Sequence, residues 1–125
     1  MRIGIPLETK SGESRVAATP ETVKKLITAG HSLIIQSHAG VKASIIDEAF
    51  TAAGATIGSA TEVFNCDIVL KVRAPSDDEL NQMRPGTVLI GMLDPFDSAT
   101  INAMAGKQIT AFALEAAPRT TRAQS

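Results

Sequence analysis

Two cations that each follow an apolar run are the residues best placed to do chemistry. Arg15 lies in the motif at residues 13–20, soon after the run at 3–5, and Lys71 directly follows the run at 68–70. A guanidinium can hold a carboxylate or phosphate through two hydrogen bonds, and an ammonium is costly to bury without a partner. If the first and fourth strands are neighbours, both side chains line one crevice. Otherwise Arg15 is a solvated charge and Lys71 reaches solvent at the end of the sheet.

The remaining polar candidates indicate less chemistry. Asp94 follows a further apolar run and either faces the same crevice or caps the turn after it. His31 and His38 have no Cys, Asp or Glu at metal-ligand spacing, so we predict no metal site. Cys66 is the only cysteine, which excludes an internal disulfide, and we expect it to be a small buried group.

Composition limits the class of protein. The chain has 125 residues, 44% of them hydrophobic, and a net charge of -1, which is typical of one domain with one core. Its charges form no basic stripe, and it has no Trp or Tyr, so we expect no nucleic-acid partner. Because it shows no signal peptide and no apolar run of about 18 residues, we expect a cytoplasmic protein.

Short β-branched runs alternate with helical segments along the whole chain. This alternation predicts right-handed βαβ units and a mostly parallel sheet. The runs are continuously apolar, which favours a central sheet with helices on both faces, in a three-layer α/β domain of flavodoxin-like or Rossmann-like type. The predicted strands are residues 2–5, 32–35, 56–57, 67–72, 87–92 and 108–114.

Capping signals predict where the helices begin and end. Hydroxyl or carboxylate side chains that can accept a hydrogen bond from the first turn precede each apolar segment, and a glycine follows several of them. The predicted N-caps are Thr19, Ser44, Ser59, Ser76 and Asp97. The glycines themselves never form Gly-x-Gly-x-x-Gly, so the chain lacks the usual loop that seats a pyrophosphate on a helix N-terminus.

The motifs at residues 4–8 (Gly-Ile-Pro-x-Glu) and 13–20 resemble a known family. It is the N-terminal region shared by alanine dehydrogenase and the α subunit of proton-translocating NAD(P) transhydrogenase, and the resemblance covers essentially all 125 residues. The family usually has Asn before the Glu of the second motif, where this chain has Gly12.

The last residues favour the transhydrogenase branch. Residues 118–125 are similar to its segment Pro-Arg-x-x-Arg-Ala-Gln-Ser, and the resemblance implies that Arg119 and Gln124 approach the nicotinamide of NAD(H). Arg122 and Ser125 belong to the same implied cofactor-binding segment. The catalytic His of alanine dehydrogenase would fall at about Asp94, so the resemblance implies no catalytic acid or base here.

The resemblance implies an NAD(H)-binding subunit that passes hydride from NADH to NADP⁺ on a partner component, coupled to proton translocation. The implied partners are the β subunit, the membrane domains and a second copy in a homodimer, at the cytoplasmic face of the inner membrane. Residues 1–125 would then be the N-terminal part of a larger two-domain subunit, inactive alone, with a Rossmann domain following. The returning chain would complete this first domain, so we expect exposed apolar surface.

Two alternatives stay open at this point. In an alanine dehydrogenase-type oxidoreductase, Arg15 and Lys71 would hold the carboxylate of a keto acid, whereas in a transhydrogenase the resemblance implies a scaffold or NAD-proximal role for them. The other alternative is a free-standing flavodoxin-like binding module without enzymatic activity.

Overall fold

The computed structural model describes residues 1–93 and 98–114, except the side chains of Ser98 and Thr100. Each predicted strand is present, with ends that differ by at most two residues. The strands are β1 (Arg2–Ile5), β2 (Ser32–Gln36), β3 (Thr56–Gly58), β4 (Ile68–Arg73), β5 (Val88–Met92) and β6 (Thr110–Ala113). The helices are α1 (Pro20–Thr28), α2 (Asp47–Ala52), α3 (Ala60–Phe64), α4 (Asp77–Gln82) and α5 (Ser98–Gly106).

The strands form one six-stranded sheet in the order β3-β2-β1-β4-β5-β6. Every strand pair is parallel, which confirms the predicted α/β class, and the order is that of a Rossmann sheet rather than a flavodoxin sheet. From β1 the chain builds outward to one edge, and from β4 it builds outward to the other. The crevice at the carboxyl ends of β1 and β4 is therefore the place where such sheets bind ligands.

Helices cover both faces of the sheet, as predicted. On one face Ile3 and Ile5 pack with Val23 of α1 and Phe50 of α2. The opposite face packs against α3, α4 and α5, which contribute Phe64, Leu80 and Met104. Gly4 lies on that second face, where the backbone of Val63 in α3 approaches it closely. The two cores thus hold β1 and β4 at the centre of the domain.

Three of the predicted caps are confirmed, and one is wrong. Thr19, Ser59 and Ser76 accept hydrogen bonds from the first turns of α1, α3 and α4. Ser44 does not cap α2, because its φ of 65° places it in the left-handed region at the end of the short 3-10 turn Val41–Ala43. The helix begins after Ile46, which gives no side-chain cap. Asp97 lies outside the described residues.

One half of the sheet leaves an apolar face exposed. Leu70, Ile90 and Phe112 lie in register across β4, β5 and β6 on the face opposite α4 and α5. Phe112 is 56% exposed and Leu114 is 57% exposed. More than half of the surface of each residue is therefore open to solvent within the described part of the chain. We call this surface the open face.

The close approach of α3 to β1 can be tested with Gly4→Ala. A Cβ at this position would lie 2.1 Å from the carbonyl oxygen of Val63, so the helix must move away from the sheet. We expect the free energy of unfolding to fall by about 1–3 kcal/mol, the usual cost of overpacking, in a chemical denaturation series. Gly106→Ala is the matched control, because a Cβ there meets nothing within 4 Å and should change stability by less than about 1 kcal/mol. Equal effects of the two substitutions would contradict this packing.

Candidate functional site

A cavity of about 300 Å³ opens at the carboxyl ends of β1 and β4. One wall is the loop that joins β1 to α1, and the other is the open face of β4 and β5. Its lining is mainly apolar, and it includes the cationic residue Arg15. The lining residues are Arg15, Val16, Ala17, Leu70, Lys71, Val72, Ile90, Met92 and Leu114.

Lys71 lines this cavity, but its ammonium is held elsewhere. The Lys71 Nζ lies 3.2 Å from Glu8 Oε1 and 3.4 Å from Glu79 Oε2, with the lysine side chain only 1% exposed. Glu79 belongs to the capping box of α4, where its other carboxylate oxygen accepts from the Ser76 N–H at 2.8 Å. The buried ammonium therefore has two carboxylate partners. The alternative that Lys71 reaches solvent at the end of the sheet is wrong.

Glu8 also binds the backbone at the end of β4. Its Oε2 accepts from the Val72 N–H at 2.9 Å, and its Oε1 accepts from the Arg73 N–H at 3.1 Å. The residue is 2% exposed, so each of these bonds is made away from water. A buried carboxylate is tolerated when donors surround it, and Glu8 has three.

A second buried carboxylate, Glu13, binds the two guanidiniums of the site. Its oxygens accept from Arg15 Nε and Nη2, both at 2.9 Å, in a bidentate pair, and from the Arg15 N–H at 2.8 Å. Arg73 Nε lies 3.4 Å from Glu13 Oε1 without hydrogen-bond geometry, so this contact is electrostatic. We call these three residues the Arg15–Glu13–Arg73 cluster. Two cations share one carboxylate there, which leaves a net positive charge beside the cavity.

The cluster shifts the titration of its members. The hydrogen bonds that the Arg15 side chain and backbone donate lower the pKa of Glu13 from 4.5 to about 2. The same side-chain hydrogen bond raises the pKa of Arg15. Both guanidiniums remain partly in solvent, with side chains 59% exposed in Arg15 and 42% exposed in Arg73. The site therefore presents fixed positive charge on an apolar pocket.

The structure brings together part of the set predicted from sequence. Arg15 and Lys71 line one cavity because β1 and β4 are neighbours, but Arg73, rather than Lys71, shares a carboxylate with Arg15. The other predicted residues, Asp94, Arg119, Arg122, Gln124 and Ser125, lie outside the described residues.

Sequence reasoning missed the roles of Glu8, Glu13 and Arg73. A signal for Arg73 was present, since it is a second cation two positions after Lys71, at the spacing of residues on one strand face. That spacing, however, predicts Lys71 and Arg73 on the same face of the strand. In the structure the two cations contact different carboxylates, Glu8 and Glu13 respectively. For Glu8 and Glu13 the sequence signal was only their place in the two motifs.

Two further features are absent from the described parts of the chain. Those residues contain no group of three or more His, Cys, Asp or Glu side chains that could hold a metal ion. None of the helices in that part is long and apolar enough to cross a membrane.

Comparison with known proteins identifies the family. Residues 4–125 match the family model described as alanine dehydrogenase/PNT, N-terminal domain. The chain belongs to this family. The resemblance inferred from the two motifs is thereby confirmed, and the glutamates and arginines described above form a site of an alanine dehydrogenase/PNT N-terminal domain.

Relatives from both branches of the alanine dehydrogenase/PNT family match the chain. It is 41% identical to NAD(P) transhydrogenase subunit alpha of Haemophilus influenzae over 126 residues, which cover 100% of this chain and 25% of that subunit. A transhydrogenase structure from Sinorhizobium meliloti is 40% identical, with a TM-score of 0.95 over 99% of this chain and 38% of that one. An L-alanine dehydrogenase structure is 31% identical, with a TM-score of 0.87 over 90% of this chain and 32% of that one. The chain thus spans between a quarter and two fifths of these relatives.

The lowered pKa of Glu13 makes a pH-dependent contribution to stability. The folded carboxyl titrates at about 2 and the unfolded one at about 4.5, so the contribution is present above pH 4.5 and is lost as the pH falls towards 2. We expect Glu13→Gln to be less stable than the parent at pH 7, with a gap that narrows below pH 4.5, in unfolding curves measured across this range. Glu21→Gln, on the exposed face of α1, should show no such gap. A gap that is constant with pH would mean that the carboxylate charge of Glu13 does not matter.

Proposed function

We propose that this chain is the N-terminal part of the NAD(H)-binding alpha subunit of a proton-translocating NAD(P) transhydrogenase. In the assembled enzyme, hydride passes from NADH to NADP⁺ held by a partner component. The observation that carries the proposal is that the whole chain aligns with transhydrogenase alpha subunits. Alanine dehydrogenases align with less of the chain, 74% of it for a curated relative and 90% of it for the structure.

The described residues do not fit the pyrophosphate of a dinucleotide. At the crevice between β1 and β4, where sheets of this order bind ligands, the carboxylate of Glu8 already occupies the N–H groups of Val72 and Arg73. A phosphate there would meet a buried negative charge and no free backbone donors from these residues. We therefore assign the nucleotide to a later domain and to the segment with Arg119, Arg122, Gln124 and Ser125, where Arg119 and Gln124 contact the nicotinamide.

The open face supports the proposal that a longer subunit completes this domain. Large apolar patches rimmed by polar residues mark interaction surfaces, and Met92, Phe112 and Leu114 are all more than 40% exposed. We assign this surface to chain that returns after the nucleotide-binding domain. The subunit would act as a homodimer with the β subunit and membrane domains, at the cytoplasmic face of the inner membrane.

A second candidate function is an alanine dehydrogenase-type oxidoreductase. It is favoured by the Arg15–Glu13–Arg73 cluster, since two partly exposed guanidiniums beside an apolar cavity suit the carboxylate of a small keto acid. It is disfavoured by Asp94, the residue that stands where the resemblance would require a catalytic His.

The reaction can be tested with the full-length subunit combined with its NADP-binding partner. We expect hydride transfer from NADH to an NADP⁺ analogue, and no NAD⁺ reduction with alanine. Arg119→Ala and Gln124→Ala should each lower the transfer rate by roughly 10²-fold, the scale expected for a misplaced reactant. Lys107→Ala, on the turn after α5, is a matched control that should leave the rate unchanged. Alanine-dependent reduction of NAD⁺ without transhydrogenation would select the second candidate instead.

Residues 1–125 alone should bind NADH very weakly. The physical reason is the missing phosphate loop together with the Glu8 carboxylate at the crevice. In a fluorescence titration we expect no saturation at low micromolar NADH, whereas the full-length subunit should saturate. Saturable binding by the isolated chain at that concentration would contradict the assignment of the nucleotide to a later domain.

A further inference from the structure

An irregularity in β4 separates its two cations. The strand pairs regularly with β5 up to Leu70, which lies opposite Ile90, and pairing resumes with Arg73 opposite Met92. Three residue steps on β4 therefore face two on β5, so β4 contains one extra residue. The pattern of burial agrees, because the consecutive residues Lys71 and Val72 are both buried. This is the arrangement of a β-bulge, which changes the direction of the side chains that follow it.

The bulge reverses the face on which Arg73 lies. In a regular strand Lys71 and Arg73 would share a face, since side chains alternate with a period of two. With the extra residue, Arg73 is instead aligned with Met92, on the side of the cavity, while Lys71 contacts Glu8 and Glu79 on the side of α4. Arg73 can then reach Glu13, which also binds Arg15.

Two features hold the bulge from opposite sides. Glu8 accepts hydrogen bonds from the Val72 and Arg73 N–H groups and also contacts the Lys71 ammonium. On the side of β5, Gly91 leaves room for the bulged backbone, since a Cβ at Gly91 would lie 2.2 Å from the carbonyl oxygen of Lys71. The bulge is thus accommodated by a missing side chain and held by one carboxylate.

We infer that Glu8 is a positioning residue that clamps the β4 bulge and thereby places Arg73 in the Arg15–Glu13–Arg73 cluster. Glu8 is not among the residues that line the cavity, and its hydrogen bonds to the bulge reach the cluster through Arg73. The inference rests on the proposed function solely in treating this cluster as part of a functional site. Its geometry involves residues of this chain alone.

The test is a double-substitution cycle on residues 1–125. Its readout is the pKa of the Glu13 carboxyl, measured by a pH titration in carbon-13 NMR spectra. Arg73 helps to lower the pKa of Glu13 through its charge, so Arg73→Gln should raise that pKa. Glu8→Gln weakens the clamp, since an amide offers one oxygen to donors that now occupy two, and should raise the Glu13 pKa. The rise should be no larger than that of Arg73→Gln, because loss of the negative charge of Glu8 acts in the opposite direction. Combining Glu8→Gln with Arg73→Gln should give no further rise.

The control is Glu79→Gln, which also removes a partner of Lys71 but contacts neither bulge N–H group. It should leave the pKa of Glu13 at its parent value, so that a general loss of stability is distinguished from loss of positioning. If Glu8→Gln does not fold, Glu8→Asp retracts the carboxylate by one methylene and should raise the Glu13 pKa in the same direction.

The inference is overturned if the folded Glu8 variant keeps the parent pKa of Glu13, or if Arg73→Gln adds its full effect on top of it. Neither measurement involves nucleotide or partner. A failed hydride-transfer assay would therefore count against the proposed function alone, and a failed titration cycle against the role of Glu8 alone.

Discussion

The buried carboxylate of Glu8 is the constraint on which the site depends. It connects the loop after β1 with the end of β4, and through Lys71 it is joined to Glu79 at the start of α4. The loop after β1 is far in sequence from the other two segments and meets them only because β1 and β4 are adjacent in the sheet. Removing one charged member of such a buried set leaves the others without compensation, which is why its energetic cost exceeds that of a surface pair.

The charges of the site are divided between two faces of the sheet. On the side of α4, two glutamates surround one lysine, whereas on the side of the cavity two arginines surround one glutamate. The first group is buried and compact, and the second is partly hydrated. A single extra residue in β4 produces this division, because it places Lys71 and Arg73 on opposite faces of the sheet. Arg73 is then the cation that is partly exposed to solvent.

Much of the fold could be predicted from sequence, because strand runs, caps and glycine stops are local signals. The strand positions and the caps at Thr19, Ser59 and Ser76 needed only neighbouring residues. The prediction that Ser44 caps α2 was wrong although the sequence Ser44-x-x-Asp47 fits a capping box. The Asp47 side chain instead accepts a hydrogen bond from the His38 N–H, and α2 begins at Asp47. The bulge in β4 had no local signal at all, since it depends on Glu8 and Gly91, which lie on other strands or loops. The sequence therefore predicted that Arg15 and Lys71 line one cavity, but not that Arg73 shares the carboxylate of Glu13 with Arg15.

The open face also has a consequence for biosynthesis. In the subunit that we propose, this domain would leave the ribosome first, since it aligns with 25% of the alpha subunit of Haemophilus influenzae. At roughly 5–20 residues per second, the chain that would cover Phe112 and Leu114 arrives only tens of seconds later. During that interval Phe112 and Leu114 would stay exposed to chaperones that bind apolar strands. The charged contacts of Glu8, by contrast, need no residue beyond Glu79 and could already form.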